Sequence, residues 1–245
     1  MKILLISDIH ANFPALKTVA AHFEIDSFDL ILNGGDTVVY GPFPNQTIDW
    51  LRTHRAVSIV GNTDRHVIAL LNGKTFKKPR KAEKRIMYGW TAAELTAENQ
   101  SWLQQQPLAR VLDLHRYGGG KTALRLHMCH GSPADPDEFL FPDTPACRYR
   151  ELATSAAGGI VTVGHSHTQF HTCAEGVHFI NPGSVGRMFD GKLQTACAVI
   201  TVKQRTVGVD LYRIPYPVQT VADEIMRLRL PPIYADMYLR GRKLN

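Results

Sequence analysis

Cysteine is scarce in this chain, and long apolar runs are absent. Cys129, Cys147, Cys173 and Cys197 are widely spaced and form no C-x-x-C pair, which argues against a disulfide scaffold or a zinc–thiolate site. The apolar runs are of strand length, so the sequence predicts no membrane-spanning helix. Only four apolar residues separate Lys2 from a polar Ser-Asp pair, which is too short for a signal peptide. Together these absences favour a cytoplasmic protein.

Internal repeats, low-complexity segments and linkers are also missing, so we expect one domain over residues 1–245. The net charge of +6 is unevenly placed, because residues 74–85 hold seven basic residues against one glutamate. This segment is either a solvated loop leading into a helix or a rim that attracts a polyanionic substrate. Phe76 is its only aromatic residue, so binding of nucleic acid is not expected.

Short apolar runs alternate with segments of helical periodicity, which predicts an α/β protein. Strands are predicted at 3–6, 30–32, 56–60, 122–129, 160–163, 177–180, 195–202 and 206–214. Helices are predicted at 13–23, 46–55, 65–71, 82–106 (one or two helices), 144–157 and 218–228, with a polar tail after the last. Asn12 and Thr96 are candidate helix caps, and Trp90 and Trp102 are candidate packing residues. We expect residues 215–245 to form a helical extension packed on the domain.

Five of the predicted strands end in polar residues that can bind a metal ion. The first is followed by Asp8 and His10, whose side chains would point the same way on an extended backbone. The other four strands are followed by Asp36, Asn62, His130 and the pair His165 and His167. Because ligands bind outside the carboxyl ends of strands in α/β sheets, we expect these side chains to form one site.

Seven candidate ligands are too many for one tetrahedral zinc ion, but they suit two octahedral ions that share a bridging carboxylate. Carboxylate, amide oxygen and imidazole without thiolate favour Mn²⁺, Fe, Co²⁺, Ni²⁺ or Zn²⁺ over a soft metal. Of these ions we expect Mn²⁺. Two such ions about 3.5–4 Å apart can activate a water and clamp the oxygens of a phosphoryl displacement. Gly35, Gly61, Gly131 and Gly164 adjoin the candidates, where tight turns bring the backbone close.

The candidates fall into motifs whose order resembles that of the calcineurin-like metallophosphoesterases. The motifs are D-x-H (8–10), GD (35–36), GN-x-D (61–64), HG (130–131) and GH-x-H (164–167). The resemblance covers residues 1–191, is strongest to the small bacterial and archaeal phosphodiesterase branch, and includes the N-P-G-S loop at 181–184. It implies a four-layer α/β/β/α sandwich of two mixed sheets flanked by helices.

The resemblance also implies roles for the seven candidates. Asp8, His10 and His167 would bind one metal, Asn62, His130 and His165 the other, and Asp36 would bridge them. The implied activity is hydrolysis of phosphodiester or phosphoanhydride bonds through a metal-bridging hydroxide, with Asp36, Asn62 and His130 at the reaction centre. The cofactors would be two divalent ions, and the partner a phosphorylated small molecule or nucleotide.

One position departs from the family pattern. Many members have a histidine after the G-N pair, credited with stabilising the transition state or protonating the leaving group, whereas this chain has Thr63. A threonine cannot be a general acid at neutral pH. His66 lies in the same loop and is a candidate substitute, the alternative being an exposed helix histidine. Asp64 is expected to orient a ligand or a neighbouring loop.

The remaining polar candidates are expected to be mainly structural. His127, His171 and His178 are predicted to pack or to lie near the site, with His171 able to reach its rim. Cys129 is predicted to be a small buried side chain rather than a nucleophile.

Three alternative functions stay open. The enzyme could hydrolyse dinucleoside polyphosphates, or it could be a protein phosphomonoesterase. In a different class, some family members keep the fold as non-catalytic interaction subunits, although such a subunit would not need all seven ligand positions. The sequence is compatible with an oligomer, and we expect no membrane partner.

Overall fold

The computed structural model describes residues 1–75, 79–117, 124–204 and 206–244. Residues 76–78 of the basic segment and residues 122–123 of a predicted strand therefore lie outside the described residues. The strands are β1 (Lys2–Ile6), β2 (Leu30–Asn33), β3 (Val57–Ser58), β4 (Ala109–Asp113), β5 (Arg125–Cys129), β6 (Ile160–Thr162), β7 (Phe170–Ala174), β8 (Val177–Asn181), β9 (Gln194–Lys203) and β10 (Thr206–Pro215). The α-helices are α1 (Phe13–His22), α2 (Pro44–Thr53), α3 (Asn62–Leu71), α4 (Ala82–Glu94), α5 (Ala97–Gln104), α6 (Ala146–Ser155), α7 (Val218–Arg227) and α8 (Pro232–Arg240).

These strands form two five-stranded sheets, each of mixed direction. The first has the order β10-β9-β1-β2-β3, with β1, β2 and β3 parallel and the β9–β10 hairpin antiparallel. The second has the order β4-β5-β6-β8-β7, with β5, β6 and β8 parallel between antiparallel edges. The predicted pair of mixed sheets is confirmed.

Alternate residues of the strands fill apolar layers on both faces of each sheet. The layer between the sheets buries side chains from both, including Leu5, Leu32, Leu126, Ile180 and Ile200. On the outer face of the first sheet, Leu16 and Val19 of α1 cover Leu4 and Ile6. On the outer face of the second, Tyr149 and Leu152 of α6 cover Val161 and Phe179. This is the predicted four-layer sandwich.

Three elements differ from the predictions. Strands β4 and β7 form the edges of the second sheet and had not been predicted, because their residues alternate between exposed and covered without an apolar run. Helix α8 occupies the predicted polar tail, so that prediction was wrong. Its Tyr234, Met237 and Tyr238 are buried, and Gly241 ends the helix with a φ of 58°.

The C-terminal helices pack against the helical side of the first sheet. Ile48, Val67, Met87, Val221 and Tyr234, from five different helices, are buried in one apolar cluster. The predicted packing tryptophans, Trp90 and Trp102, lie against apolar clusters. No helix within the described ranges is both long and apolar enough to cross a membrane.

Candidate metal centre

Five loops converge at the carboxyl ends of parallel strands from the two sheets. They follow β1, β2 and β3 of the first sheet and β5 and β6 of the second. The structure brings together the side chains that these loops carry, namely Asp8, His10, Asp36, Asn62, His130, His165 and His167. Two groups of three have ligand atoms within 4.8 Å of one another: Asp8, His10 and His167, and Asp36, His130 and His165.

The first group points three electron-pair donors at one place. His167 Nε2 lies 3.2 Å from Asp8 Oδ1 and 3.2 Å from His10 Nε2. Asp8 Oδ1 is buried without a hydrogen-bond partner among the described residues. Since an unpaired buried carboxylate oxygen is costly, this arrangement fits a cation held by the three atoms.

The second group surrounds Asn62. Its Oδ1 lies 3.2 Å from His130 Nε2, 2.8 Å from His165 Nδ1 and 3.3 Å from Asp36 Oδ2. In the opposite amide orientation, Nδ2 would donate to these atoms. The orientation with the oxygen inward is the one that a bound cation requires, so the donor set fits a second ion.

Asp36 belongs to the second group and also lies close to the first. Its Oδ1 is 3.6 Å from His130 Nε2, and its Oδ2 is 3.7 Å from His10 Nε2. The backbone N–H of Thr63 donates to Oδ1 at 2.8 Å and fixes the carboxylate in place. This geometry supports the bridging role that we propose for Asp36.

Hydrogen bonds to backbone carbonyls orient two of the imidazoles. His130 Nδ1 donates to the carbonyl of Gly34 at 2.8 Å, and His167 Nδ1 donates to that of Arg187 at 2.7 Å. In both rings Nε2 therefore faces the centre, where it offers a lone pair whenever the ring is neutral.

The backbone around the centre is locally strained. Asp8, His10, Asp36, His165 and His167 all have φ values between 50° and 64°, a left-handed region that costs non-glycine residues about 1–3 kcal/mol each. The expectation that Asp8 and His10 converge on an extended backbone was wrong, because β1 ends at Ile6. The loop brings the two side chains together instead.

The charges of the centre shift the pKa values of its members. Burial opposes ionisation of Asp36 and Asp8, but neighbouring histidines outweigh it and lower the pKa of both carboxyls. Burial also opposes protonation of His130, yet Asp36 and Asp8 raise its pKa to about 10. For His10 burial prevails and lowers the pKa to about 3. In the metal-free protein, the His130 proton thus supplies the positive charge between the carboxylates.

This protonation predicts a pH-dependent metal affinity. A cation needs the Nε2 lone pair of His130, and Asp36 and Asp8 raise the pKa of this ring, so we expect binding at neutral pH to release a proton. We expect the apparent affinity for Mn²⁺ to rise about tenfold per pH unit between pH 6.5 and 8.5. Calorimetric titration in buffers of different ionisation enthalpy would count the proton, and an affinity independent of pH would contradict this assignment.

The centre opens into a cleft with a volume of about 230 Å³. Besides the ligands, its lining includes Tyr40, Phe139, Phe189 and the cations Arg187, Lys84 and Lys243. Phe139 stacks on His165 with ring centroids 3.9 Å apart, and Phe189 stacks on His167 at 5.2 Å. The sequence reasoning missed these residues except Lys84, which lies in the basic segment. The N-P-G-S motif at 181–184 closely precedes Arg187 in the sequence and could have indicated that this residue lies near the centre.

Thr63 and Asp64 stabilise the loops of the centre. The Thr63 hydroxyl donates to the carbonyl of Val38 at 3.1 Å. Asp64 accepts backbone hydrogen bonds from Thr37, Val38 and Gly61 at 3.0–3.1 Å. Asp64 therefore joins the loops after β2 and β3, in keeping with its expected orienting role.

The other candidates lie outside this arrangement. His66 packs edge-on against Tyr88, and it is not among the described residues that line the cleft. His171 and His178 stack on each other on β7 and β8, with ring nitrogens 2.9 Å apart. His127 accepts a hydrogen bond from the backbone of Ala157. Burial raises the pKa of Cys129 to about 12, so it stays a neutral thiol.

Comparison with known proteins agrees with this geometry. The model of the calcineurin-like phosphoesterase superfamily domain matches residues 1–205. An uncharacterised protein of Methanocaldococcus jannaschii is 28% identical over 98% of each chain. A symmetrical bis(5′-nucleosyl)-tetraphosphatase of Klebsiella pneumoniae is 30% identical over 45% of this chain and 39% of that protein.

A solved structure shares the whole fold. The crystal structure of a metallophosphoesterase from Sphaerobacter thermophilus superposes with a TM-score of 0.78, at 24% identity, over 98% of this chain and 99% of that one. The family match covers most of the chain and includes every loop of the centre. This chain therefore belongs to the calcineurin-like phosphoesterase superfamily.

Proposed function

We propose that this chain is a phosphoesterase that depends on two divalent metal ions and hydrolyses phosphodiester or phosphoanhydride bonds. The observation that carries the proposal is the pair of adjacent ligand groups, with Asp36 close to members of both. When bound, two such ions would lower the pKa of a water and clamp the oxygens of the phosphoryl group. Mn²⁺ is the ion that we propose, with Fe, Co²⁺, Ni²⁺ and Zn²⁺ as alternatives compatible with this donor set.

The chain's own residues would orient and neutralise the substrate. Asp8, His10 and His167 would hold one ion, and Asn62, His130 and His165 the other. Arg187 is buried at the wall of the cleft, where its positive charge can attract an anionic substrate.

Neither candidate residue for protonating the leaving group is suited to that role. Thr63 uses its hydroxyl on a backbone carbonyl. Burial, together with Arg65, lowers the pKa of His66, so His66 is mostly neutral at pH 7. The chain is therefore best suited to leaving groups that depart without a proton, such as a phosphate of an anhydride.

His66→Ala tests the candidate acid. We expect near wild-type turnover, because His66 is outside the cleft lining and poorly protonated. If His66 were the acid, kcat on an alkyl phosphodiester would fall by about 10²–10⁴, with a much smaller loss on a p-nitrophenyl ester. Steady-state kinetics on both esters would separate these results.

A second candidate function is hydrolysis of dinucleoside polyphosphates. It is favoured by the partial similarity to the Klebsiella tetraphosphatase and by the cations of the cleft. The non-catalytic interaction subunit has no comparable support, since the chain keeps both ligand groups.

The experiment that tests the proposal is turnover by the purified protein. With Mn²⁺ we expect hydrolysis of bis(p-nitrophenyl) phosphate, and comparison with a phosphomonoester and diadenosine tetraphosphate would rank the substrate classes. If no divalent ion supported turnover of any of them and a stable protein partner were found, the interaction subunit would replace the enzyme.

A further inference from the structure

Three cations line the cleft beside the candidate metal ligands. Arg187 follows β8, Lys84 lies in the first turn of α4, and Lys243 follows α8. They come from parts of the chain that are far apart in sequence, including the basic segment and the C-terminal extension. Among the ion pairs of the described residues, none involves these three side chains.

Arg187 is buried with neutral partners. It is only 7% exposed. Its Cζ lies 3.9 Å over the Tyr40 ring, and its Nη2 is 3.3 Å from Met237 Sδ. These contacts hold the guanidinium in position without neutralising its charge. Because an unpaired buried charge is costly, the position favours a ligand that brings negative charge into the cleft.

Lys84 and Lys243 add to this positive charge. The pKa of Lys84 is lowered, first by burial and then by Lys243 and Arg187, so both of these cations lie close enough to repel Lys84. An anion bound among them would relieve this repulsion. The metal ligands in the same cleft already account for the phosphoryl group that reacts, so the three cations are available to a different group.

We propose that Arg187, Lys84 and Lys243 bind a phosphate group of the substrate other than the one attacked. The preferred substrate is then one with a phosphoanhydride chain, rather than a diester with a single phosphate. This inference rests on the proposed phosphoesterase function and narrows its substrate class. It also gives the C-terminal extension a part in substrate binding through Lys243.

The test measures binding and specificity separately. Inorganic tripolyphosphate is titrated calorimetrically into the metal-free full-length protein with EDTA present. For Lys84→Met/Lys243→Met, we expect the Kd to rise about tenfold or more, as for the loss of charge-assisted hydrogen bonds. The control is Lys17→Met/Lys203→Met, which removes the same charge from exposed positions and should change the Kd less than twofold.

The second readout is a ratio of rates with Mn²⁺. In the cleft variant, kcat/KM for diadenosine tetraphosphate divided by that for bis(p-nitrophenyl) phosphate should fall by about tenfold, and in the control it should not change. Absence of tripolyphosphate binding by the wild type, or equal losses in both variants, would overturn the inference. If the wild type hydrolysed neither substrate, the proposed function would fail, whereas the binding titration would still decide on the phosphate site.

Discussion

Replacing Asp36 with asparagine is expected to abolish metal-dependent hydrolysis of bis(p-nitrophenyl) phosphate while the fold is kept. Asparagine has the same shape, and its Oδ1 can still accept the Thr63 N–H at 2.8 Å. The substitution removes the negative charge of a carboxylate that lies 3.6 Å from His130 and 3.7 Å from His10. The loss of activity should exceed the roughly 10–100-fold that is typical when a residue that only hydrogen-bonds to a metal ligand is replaced.

The matched control is Asp223→Asn on α7. Asp223 is exposed and accepts a hydrogen bond from Gln219, which the amide oxygen of asparagine can also do. Its kcat/KM should equal that of the wild type. Thermal unfolding with and without Mn²⁺ shows whether Asp36→Asn has lost metal-dependent stabilisation. Full activity of Asp36→Asn would refute the bridging role.

Gly61→Ala is expected to disrupt the centre although it replaces none of the candidate ligands. A Cβ at position 61 would lie 2.1 Å from Asp36 Oδ1 and 2.4 Å from the Asp36 backbone nitrogen. The φ of Gly61 is −93°, which alanine adopts readily, so the effect comes from this contact alone. Such overpacking costs about 1–3 kcal/mol of stability, and the displaced carboxylate should reduce turnover by about 10² or more.

Gly89→Ala is the control for this substitution. Gly89 lies within α4, and a Cβ there would meet nothing within 4 Å. Alanine should leave turnover unchanged and raise helix stability by up to about 1 kcal/mol. Denaturant unfolding and Mn²⁺-dependent kinetics on both variants would check the pair. Wild-type stability and activity in Gly61→Ala would show that the close approach to Asp36 is unimportant.

The strands and the loops that follow them could be predicted because each rests on a local pattern. The apolar run Ile3–Ile6 ends before Asp8 and His10, and similar runs precede Asp36, His130 and His165. Parallel strands align their carboxyl ends, so the side chains that follow were expected to meet, and the structure places them together. Gly61 was also an informative local signal, because the backbone there lies so close to Asp36 that no side chain fits between them.

What could not be predicted depends on contacts between distant segments. Edge strands β4 and β7 are defined by their partners, and neither carries an apolar run. Helix α8 buries Tyr234 and Tyr238, whose rings are apolar although their hydroxyls suggest a polar tail. Arg187 joins the cleft only because the loop after β8 packs along the loop after β1, where the Ser184 hydroxyl donates to the carbonyl of Asp8 at 2.7 Å.

The most direct test of a two-metal phosphoesterase is a titration of the metal-free protein with Mn²⁺, in which bound metal and hydrolysis of bis(p-nitrophenyl) phosphate are measured on the same samples. We predict that two equivalents bind per chain and that turnover reaches its plateau only with the second. Full turnover at one equivalent, or no turnover with both bound, would contradict the account.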